Sequence, residues 1–115
     1  MKVSIYHNPR CSKSRATLAL LREQGIEPEI VEYLKDPPSR QTLEQLLDML
    51  DVEPLALMRT KEKEFRELGL EKDEADRETL IQALLDHPRL MERPIVVHGR
   101  KAALGRPPEN VLEIL

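Results

Sequence analysis

The sequence predicts a mixed α/β protein in which a β-α-β unit and a β-β-α unit enclose a helical segment. Two patterns support this prediction: apolar residues alternate in short stretches near both ends of the chain, and leucines recur at intervals of three and four in the middle. The 115 residues are enough for one domain with a sizeable core. We therefore expect a single domain over residues 1–115, with a helical insert at about residues 39–87.

The first part of the chain predicts two strands joined by a helix. Val3 and Ile5 alternate with polar neighbours, and residues 29–33 form a second short strand pattern. Residues 12–24 carry a dense apolar face, and Gly25 follows them where a helix is expected to end. Because one helix connects the two strands, we expect them to be parallel with a right-handed crossover.

The middle of the chain predicts four helices. Ser39 is suited to cap the first of them, whose leucines fall on one helical face: Leu43, Leu46, Leu47 and Leu50. Shorter helices are expected over residues 54–58 and 61–68. A fourth begins after Asp76 and ends before His87. These apolar stripes are best explained as core packing.

The last part of the chain predicts a hairpin and a final helix. Pro94 opens a strand, residues 98–100 form a turn, residues 101–104 form a second strand, and residues 109–115 form a helix. The resulting order is that of a thioredoxin-like, or glutaredoxin-like, fold with a helical insert. A ferredoxin-like sheet is the competing arrangement, but it requires β-α-β-β-α-β without the helical block.

Composition argues against several classes of function. The net charge is −3 and aromatic residues make up 3% of the chain, which argues against nucleic-acid binding. No apolar run approaches the roughly twenty residues of a membrane span. The lone cysteine, Cys11, excludes an internal disulfide and a Cys-rich zinc site, and no residue cluster predicts another metal. Without an export signal, we expect a cytoplasmic protein.

Cys11 is the candidate nucleophile. It follows the first strand and precedes the first helix, where unpaired backbone N–H groups and the helix dipole favour an anion. Cations and hydroxyl groups surround it in sequence: Arg10, Ser12, Lys13, Ser14 and Arg15. These groups favour the thiolate, which is the nucleophilic form. A buried structural cysteine is the alternative, but the loop and its charges favour a reactive one.

Two kinds of cysteine chemistry can be compared with this loop. The C-x5-R loop of low-molecular-weight tyrosine phosphatases needs an arginine six positions after the cysteine, where this chain has Thr17, and Arg15 comes too early. The thioredoxin C-x-x-C motif needs a second thiol where this chain has Ser14. Cys11 is therefore expected to form a covalent adduct and to depend on an external thiol for its release.

Four motifs resemble the ArsC family of glutaredoxin-dependent arsenate reductases, in its short form. They are His-Asn-Pro-Arg-Cys-Ser-Lys-Ser-Arg over residues 7–15, Leu-Met-Arg over residues 57–59, Glu-Arg-Pro-Ile-Val over residues 92–96 and Leu-Gly-Arg-Pro-Pro-Glu over residues 104–109. They occur in the family's order and span nearly the whole chain. The family has a thioredoxin-like fold with a helical insert, which agrees with the predicted element order.

The resemblance implies an oxidoreductase that reduces arsenate to arsenite. Cys11 would attack arsenate, or a similar small oxyanion, to give a covalent adduct. Glutathione would then act as co-substrate, and glutaredoxin would reduce the resulting mixed disulfide. The resemblance implies no bound cofactor and no membrane or nucleic-acid partner, and we expect a monomer.

The resemblance also implies roles for individual residues. Arg59, Arg93 and Arg106 would surround the oxyanion, for which the planar guanidinium fork is well suited. His7 would lie close to Cys11 and help to favour its thiolate, and Ser14 would hydrogen-bond to the sulfur. Each arginine could instead be a surface charge, and His7 could be merely structural.

Three further residues are expected to support the site. Ser12 and Arg15 belong to the Cys11 loop. Pro94 matches the strand-opening proline that in thioredoxin-like folds is commonly cis and faces the active-site cysteine.

Two other functions remain open. Spx-type regulators share the fold and bind the α subunit of RNA polymerase, which predicts a non-enzymatic partner protein. Spx itself uses a C-x-x-C switch, which Ser14 removes here. A thiol oxidoreductase of the same fold with another substrate is the third possibility.

Overall fold

The computed structural model describes residues 2–70 and 76–115, and these form two compact units. The first unit runs to Asp36 and resumes over Arg93–Leu115, and the second is Pro37–Glu92. The second unit covers a slightly longer range than the residues 39–87 expected for the helical insert.

The first unit contains a four-stranded mixed sheet. Its strands are β1 (Val3–Tyr6), β2 (Glu29–Val31), β3 (Ile95–His98) and β4 (Lys101–Leu104), in the order β2-β1-β3-β4. β1 and β2 are parallel, whereas β3 is antiparallel to both β1 and β4. The parallel pair and the hairpin are confirmed, and the α/β class with them.

One face of this sheet packs against α1 (Ser12–Glu23) and the C-terminal segment. The core consists of Val3, Ile5, Leu21, Val96 and Val111. Because side chains alternate along β1, Val3 and Ile5 point to the same buried face. Each fully buried aliphatic side chain contributes about 1.5–3 kcal/mol through removal of its surface from water. This packing fixes the start of α1, and so Cys11, relative to the strand ends.

The second unit contains α2 (Arg40–Leu50), α3 (Lys63–Glu67) and α4 (Arg77–Asp86), with short 3-10 helices at Pro54–Leu57 and Pro88–Leu90. Both predicted helix caps are confirmed. The Ser39 hydroxyl accepts from the backbone N–H of Thr42, and the Asp76 carboxylate accepts from that of Thr79. The predicted leucine stripe of α2 is buried at Leu43, Leu46 and Leu47.

Three predicted elements differ from those in the structure. The second strand ends at Val31 rather than residue 33, because the Glu32 carbonyl accepts from the N–H groups of Lys35 and Asp36 and so turns the chain. The helix expected from residue 61 begins at Lys63, because Glu62 is extended. The final helix is a 3-10 helix over Pro108–Ile114.

Within residues 2–70 and 76–115, every helix is too short or too polar to cross a lipid bilayer.

Candidate active site

Cys11 is the N-cap residue of α1, at the end of the loop that leaves β1. Its backbone is extended, with φ −95° and ψ 123°. Its N–H donates to the Asn8 carbonyl at 2.9 Å, and its carbonyl accepts from the N–H of Arg15 at 3.0 Å. The loop thus turns on itself before the helix begins. This geometry places the thiol at the helix N-terminus, where the helix dipole favours negative charge.

A buried hydrogen-bond network holds the loop from beneath. The Ser14 hydroxyl lies 2.6 Å from His7 Nδ1 and accepts from the backbone N–H of Asn8 at 3.1 Å. The exposed fractions of the three residues are 6% for His7, 9% for Asn8 and 0% for Ser14. The Asn8 side chain in turn accepts from the N–H of Arg10 at 3.0 Å. The conformation of the Cys11 loop therefore depends on one hydroxyl oxygen in the first turn of α1.

The pKa of the Cys11 thiol lies below its ordinary value. Burial raises this pKa, but hydrogen bonding from the backbone N–H of Ser14, the hydrogen bond and charge of Arg93, and hydrogen bonding from the backbone N–H of Lys13 together outweigh it. These donors favour the thiolate, since they stabilise the charged form. The thiolate is the form in which a cysteine acts as a nucleophile.

Ser14 hydrogen-bonds to the Cys11 sulfur through its backbone, and its hydroxyl connects His7 to the loop. The interaction of Ser14 with the sulfur comes from its backbone N–H, while its hydroxyl bonds to His7 and to Asn8. Burial lowers the pKa of His7, and the charges of Arg22 and Arg15 act in the same direction, against that of Glu32. Burial thus disfavours the charged, imidazolium form of His7. His7 contacts the site through Ser14.

Arg93 and Arg106 are linked by a hydrogen bond. Arg93 precedes Pro94 through a cis peptide bond, as the resemblance implied. The Arg106 guanidinium donates to the Arg93 carbonyl at 3.0 Å. Arg93 Nε is buried and has no hydrogen-bond partner within the described residues. A buried N–H beside a thiolate is an unused donor for an anionic ligand.

The remaining predicted site residues occupy other positions. Arg15 donates to the Pro9 carbonyl at 2.8 Å and so braces the Cys11 loop, while Ser12 is exposed at the start of α1. Arg59 belongs to the second unit, where its guanidinium forms an ion pair with Glu62. Its backbone N–H donates to the Leu90 carbonyl at 2.6 Å.

Asn8 is a site residue that the sequence prediction did not single out. Its carbonyl, its N–H and its side chain bond to Cys11, Ser14 and Arg10, respectively. An asparagine followed by proline is a turn signal, so the pattern was visible in the sequence. In the part of the chain that the structure describes, no three His, Cys, Asp or Glu side chains are grouped to hold a metal ion.

Known proteins are similar to this chain over nearly its whole length. The model of the ArsC family matches residues 6–114. An uncharacterised Escherichia coli protein, YfgD, is 56% identical over 99% of this chain and 97% of its own. A Neisseria meningitidis protein named arsenate reductase is 46% identical over 99% of this chain and 98% of its own.

Solved structures agree with these sequence relatives. A Vibrio cholerae structure described as an arsenate reductase superposes with a TM-score of 0.97 at 51% identity, covering 100% of this chain and 98% of that chain. Such a match over both chains supports the thioredoxin-like fold predicted from the element order. On the family model, the full-length relatives and the structural superposition, the chain belongs to the ArsC family.

Proposed function

We propose that this protein is an arsenate reductase in which Cys11 is the nucleophile. The observation that supports this most strongly is the pairing of a low-pKa thiol with Arg93, whose buried Nε has no partner within the described residues. A thiolate and an anionic substrate repel each other, so a cation must bring them together. The names of the closely similar relatives favour arsenate as that substrate.

The chemistry begins with attack of the Cys11 thiolate on the arsenic atom of arsenate. A sulfur–arsenic bond forms and one arsenic–oxygen bond breaks, and the departing oxygen leaves as water after taking up protons. Arsenic remains in the pentavalent state in this adduct. The backbone N–H groups of Ser14 and Lys13 hold the sulfur before the attack, and Arg93 bridges sulfur and oxyanion.

Reduction follows when the thiolate of glutathione attacks the Cys11 sulfur. The sulfur–arsenic bond breaks and its electron pair stays on arsenic, which leaves as trivalent arsenite. The two thiols become a mixed disulfide, so two electrons have passed to arsenic. Because Cys11 is the only cysteine in the chain, an external thiol must restore it. We propose glutaredoxin for this step, and the reducing cytoplasm as its compartment.

Arg106 is proposed to bind the oxyanion together with Arg93, because its guanidinium is held against the Arg93 carbonyl. For Arg59 the proposal rests on the family motif in the sequence. In the second unit Arg59 is paired with Glu62, so its contribution is testable separately.

The test is arsenate-dependent oxidation of NADPH in the presence of glutathione, glutathione reductase and glutaredoxin. We expect turnover by the wild-type chain and none by Cys11→Ser. Omission of glutathione should stop the reaction, and replacement of glutaredoxin by thioredoxin should slow it strongly. Activity that survives Cys11→Ser would overturn the mechanism.

The arginines are tested in the same assay with a matched control. Arg93→Ala, Arg106→Ala and Arg59→Ala should each raise the KM for arsenate. Arg100→Ala removes an exposed arginine from the turn between β3 and β4 and should leave KM unchanged. If Arg59→Ala matches Arg100→Ala, then Arg59 does not bind the substrate.

A further inference from the structure

Gly105 lies directly after β4, close to Pro94 and to Thr17 of α1. It is buried, and its N–H donates to the Pro94 carbonyl at 2.9 Å. Pro94 follows Arg93, and Gly105 precedes Arg106. A single backbone hydrogen bond therefore links the chain segments that carry the two guanidinium groups.

No side chain fits at this position. A Cβ atom on Gly105 would lie 2.5 Å from Thr17 Oγ1, 3.1 Å from Thr17 Cγ2 and 2.8 Å from Pro94 Cγ. Contacts below 3.0 Å require the neighbouring atoms to shift. The Thr17 hydroxyl has little freedom to do so, because it is buried and donates to the Lys13 carbonyl at 2.8 Å. Pro94 is also buried, and its pyrrolidine ring is rigid.

A larger residue at position 105 would displace both Pro94 and the segment after β4, and each displacement would reach the site. A shift of Pro94 moves the adjacent Arg93, whose guanidinium hydrogen-bonds to Cys11. A shift of the segment after β4 moves Arg106, which bonds to the Arg93 carbonyl at 3.0 Å. Thr17 lies two turns along α1 from Cys11, the N-cap residue. The close approach at Gly105 thus bears on the placement of Arg93 beside the thiol and of Arg106 against the Arg93 carbonyl.

We propose that Gly105 is a positioning residue, whose missing side chain lets Arg93 lie against the thiol and Arg106 lie against the Arg93 backbone, so that the two guanidinium groups can bind an oxyanion there. This inference rests on the proposed function for the identity of the oxyanion, and on the packing alone for the placement of Arg93. Gly105 would not contact the substrate itself and would act only through the placement of its neighbours.

The test is Gly105→Ala, with the thiolate absorbance of Cys11 titrated against pH and the KM and kcat for arsenate measured alongside. We expect the Cys11 titration to move to higher pH, because Arg93 is displaced from the sulfur. We expect kcat/KM to fall about tenfold to a hundredfold, as misplacement by about 1 Å does in other enzymes. A rise in KM should account for part of the loss.

Gly25→Ala is the matched control for stability. Gly25 lies after α1 in the same unit, has φ +78° and has open space where a Cβ would lie. Alanine there strains the backbone without crowding a neighbour. Gly25→Ala should therefore lower the urea midpoint yet leave the Cys11 titration unchanged. An equal shift of the titration in both variants would overturn the proposal.

Thr17→Ala combined with Gly105→Ala provides a second measurement. The Thr17 side chain supplies two of the three close contacts, so its truncation should return the Cys11 titration part of the way toward the wild-type value. If Gly105→Ala does not fold, the double variant is compared with Thr17→Ala instead. A double variant that titrates like Thr17→Ala would show that a Cβ at residue 105 does not displace Arg93.

These readouts separate the inference from the proposed function. A wild-type chain with no arsenate reductase activity would refute the function, while the Cys11 titration of Gly105→Ala would still test the placement of Arg93. A wild-type chain that is active, with a Gly105→Ala variant that titrates and turns over normally, would refute the inference alone.

Discussion

Ser14→Ala removes one hydroxyl that two buried groups share. His7 Nδ1 lies 2.6 Å from this oxygen, and the Asn8 N–H donates to it at 3.1 Å. Each buried polar group left without a partner costs about 1–3 kcal/mol. Alanine's better helix propensity recovers about 0.5 kcal/mol of this. We expect a net loss of about 1.5–5.5 kcal/mol, a large share of the roughly 5–15 kcal/mol by which domains of this kind are stable.

The free energy of unfolding in urea measures this loss, and Ser12→Ala is the control. Ser12 is exposed in the same helical turn, so its substitution should change stability by no more than about 0.5 kcal/mol. Equal losses in the two variants would refute the shared-hydroxyl argument. Thiolate titration of Ser14→Ala adds a second check. The Cys11 pKa should stay below its ordinary value, because the backbone N–H of residue 14 remains.

Four further outcomes follow from the structure. Burial lowers the pKa of His7, so the imidazole binds a proton more readily in the unfolded state than in the folded state. The free energy of unfolding should therefore fall as pH drops through the ordinary His pKa of 6.5. Urea unfolding measured against pH should show a weaker dependence for His7→Gln. The lowered pKa of Cys11 acts on the alkaline side: stability should rise from the folded-state pKa up to the ordinary value of 9.0, and Cys11→Ser should abolish the rise. Arg93→Lys should retain more arsenate turnover than Arg93→Ala, since lysine keeps the charge without the planar fork; equal losses would show that the positive charge alone contributes nothing. Asp76→Ala should lower the free energy of unfolding by about 1 kcal/mol, because the Thr79 N–H loses its acceptor, and no loss would show that the cap contributes nothing.

Much of the fold follows from local patterns. Alternation at Val3 and Ile5 predicted a strand, since alternate side chains of a strand point to one buried face. The leucine spacing predicted α2, since residues three and four apart share one face of a helix. Strand and helix ends depend on backbone bonds that periodicity does not report. The Glu32 carbonyl illustrates this, because its two turn hydrogen bonds end β2 early. The division into two units depends on contacts between residues far apart in sequence, which local patterns do not carry.

The site divides in a similar way. The loop around Cys11 could be predicted because strand end, helix start and cations are adjacent in sequence. Arg93 was identified through a family motif, and its contact with the sulfur depends on the pairing of β3 with β1. The residue types did not reveal which atom of Ser14 faces the sulfur, since hydroxyl and N–H are both donors. Gly105 carries no chemical group, so only the packed structure shows its importance.

The two kinds of donor around Cys11 have different consequences for the reaction. The N–H groups of Ser14 and Lys13 belong to the helix backbone and cannot turn away, so they stabilise the thiolate before and after substrate arrives. Arg93 is a side chain with several donors on one planar group, and its buried Nε has no partner within the described residues. It can therefore contact an oxyanion while it remains against the sulfur. If Arg93 alone activated the thiol, substrate binding would withdraw part of that activation. Because the backbone donors are independent of the substrate, the proposed reaction lets Arg93 bring two anions together while the Cys11 thiol stays ionised.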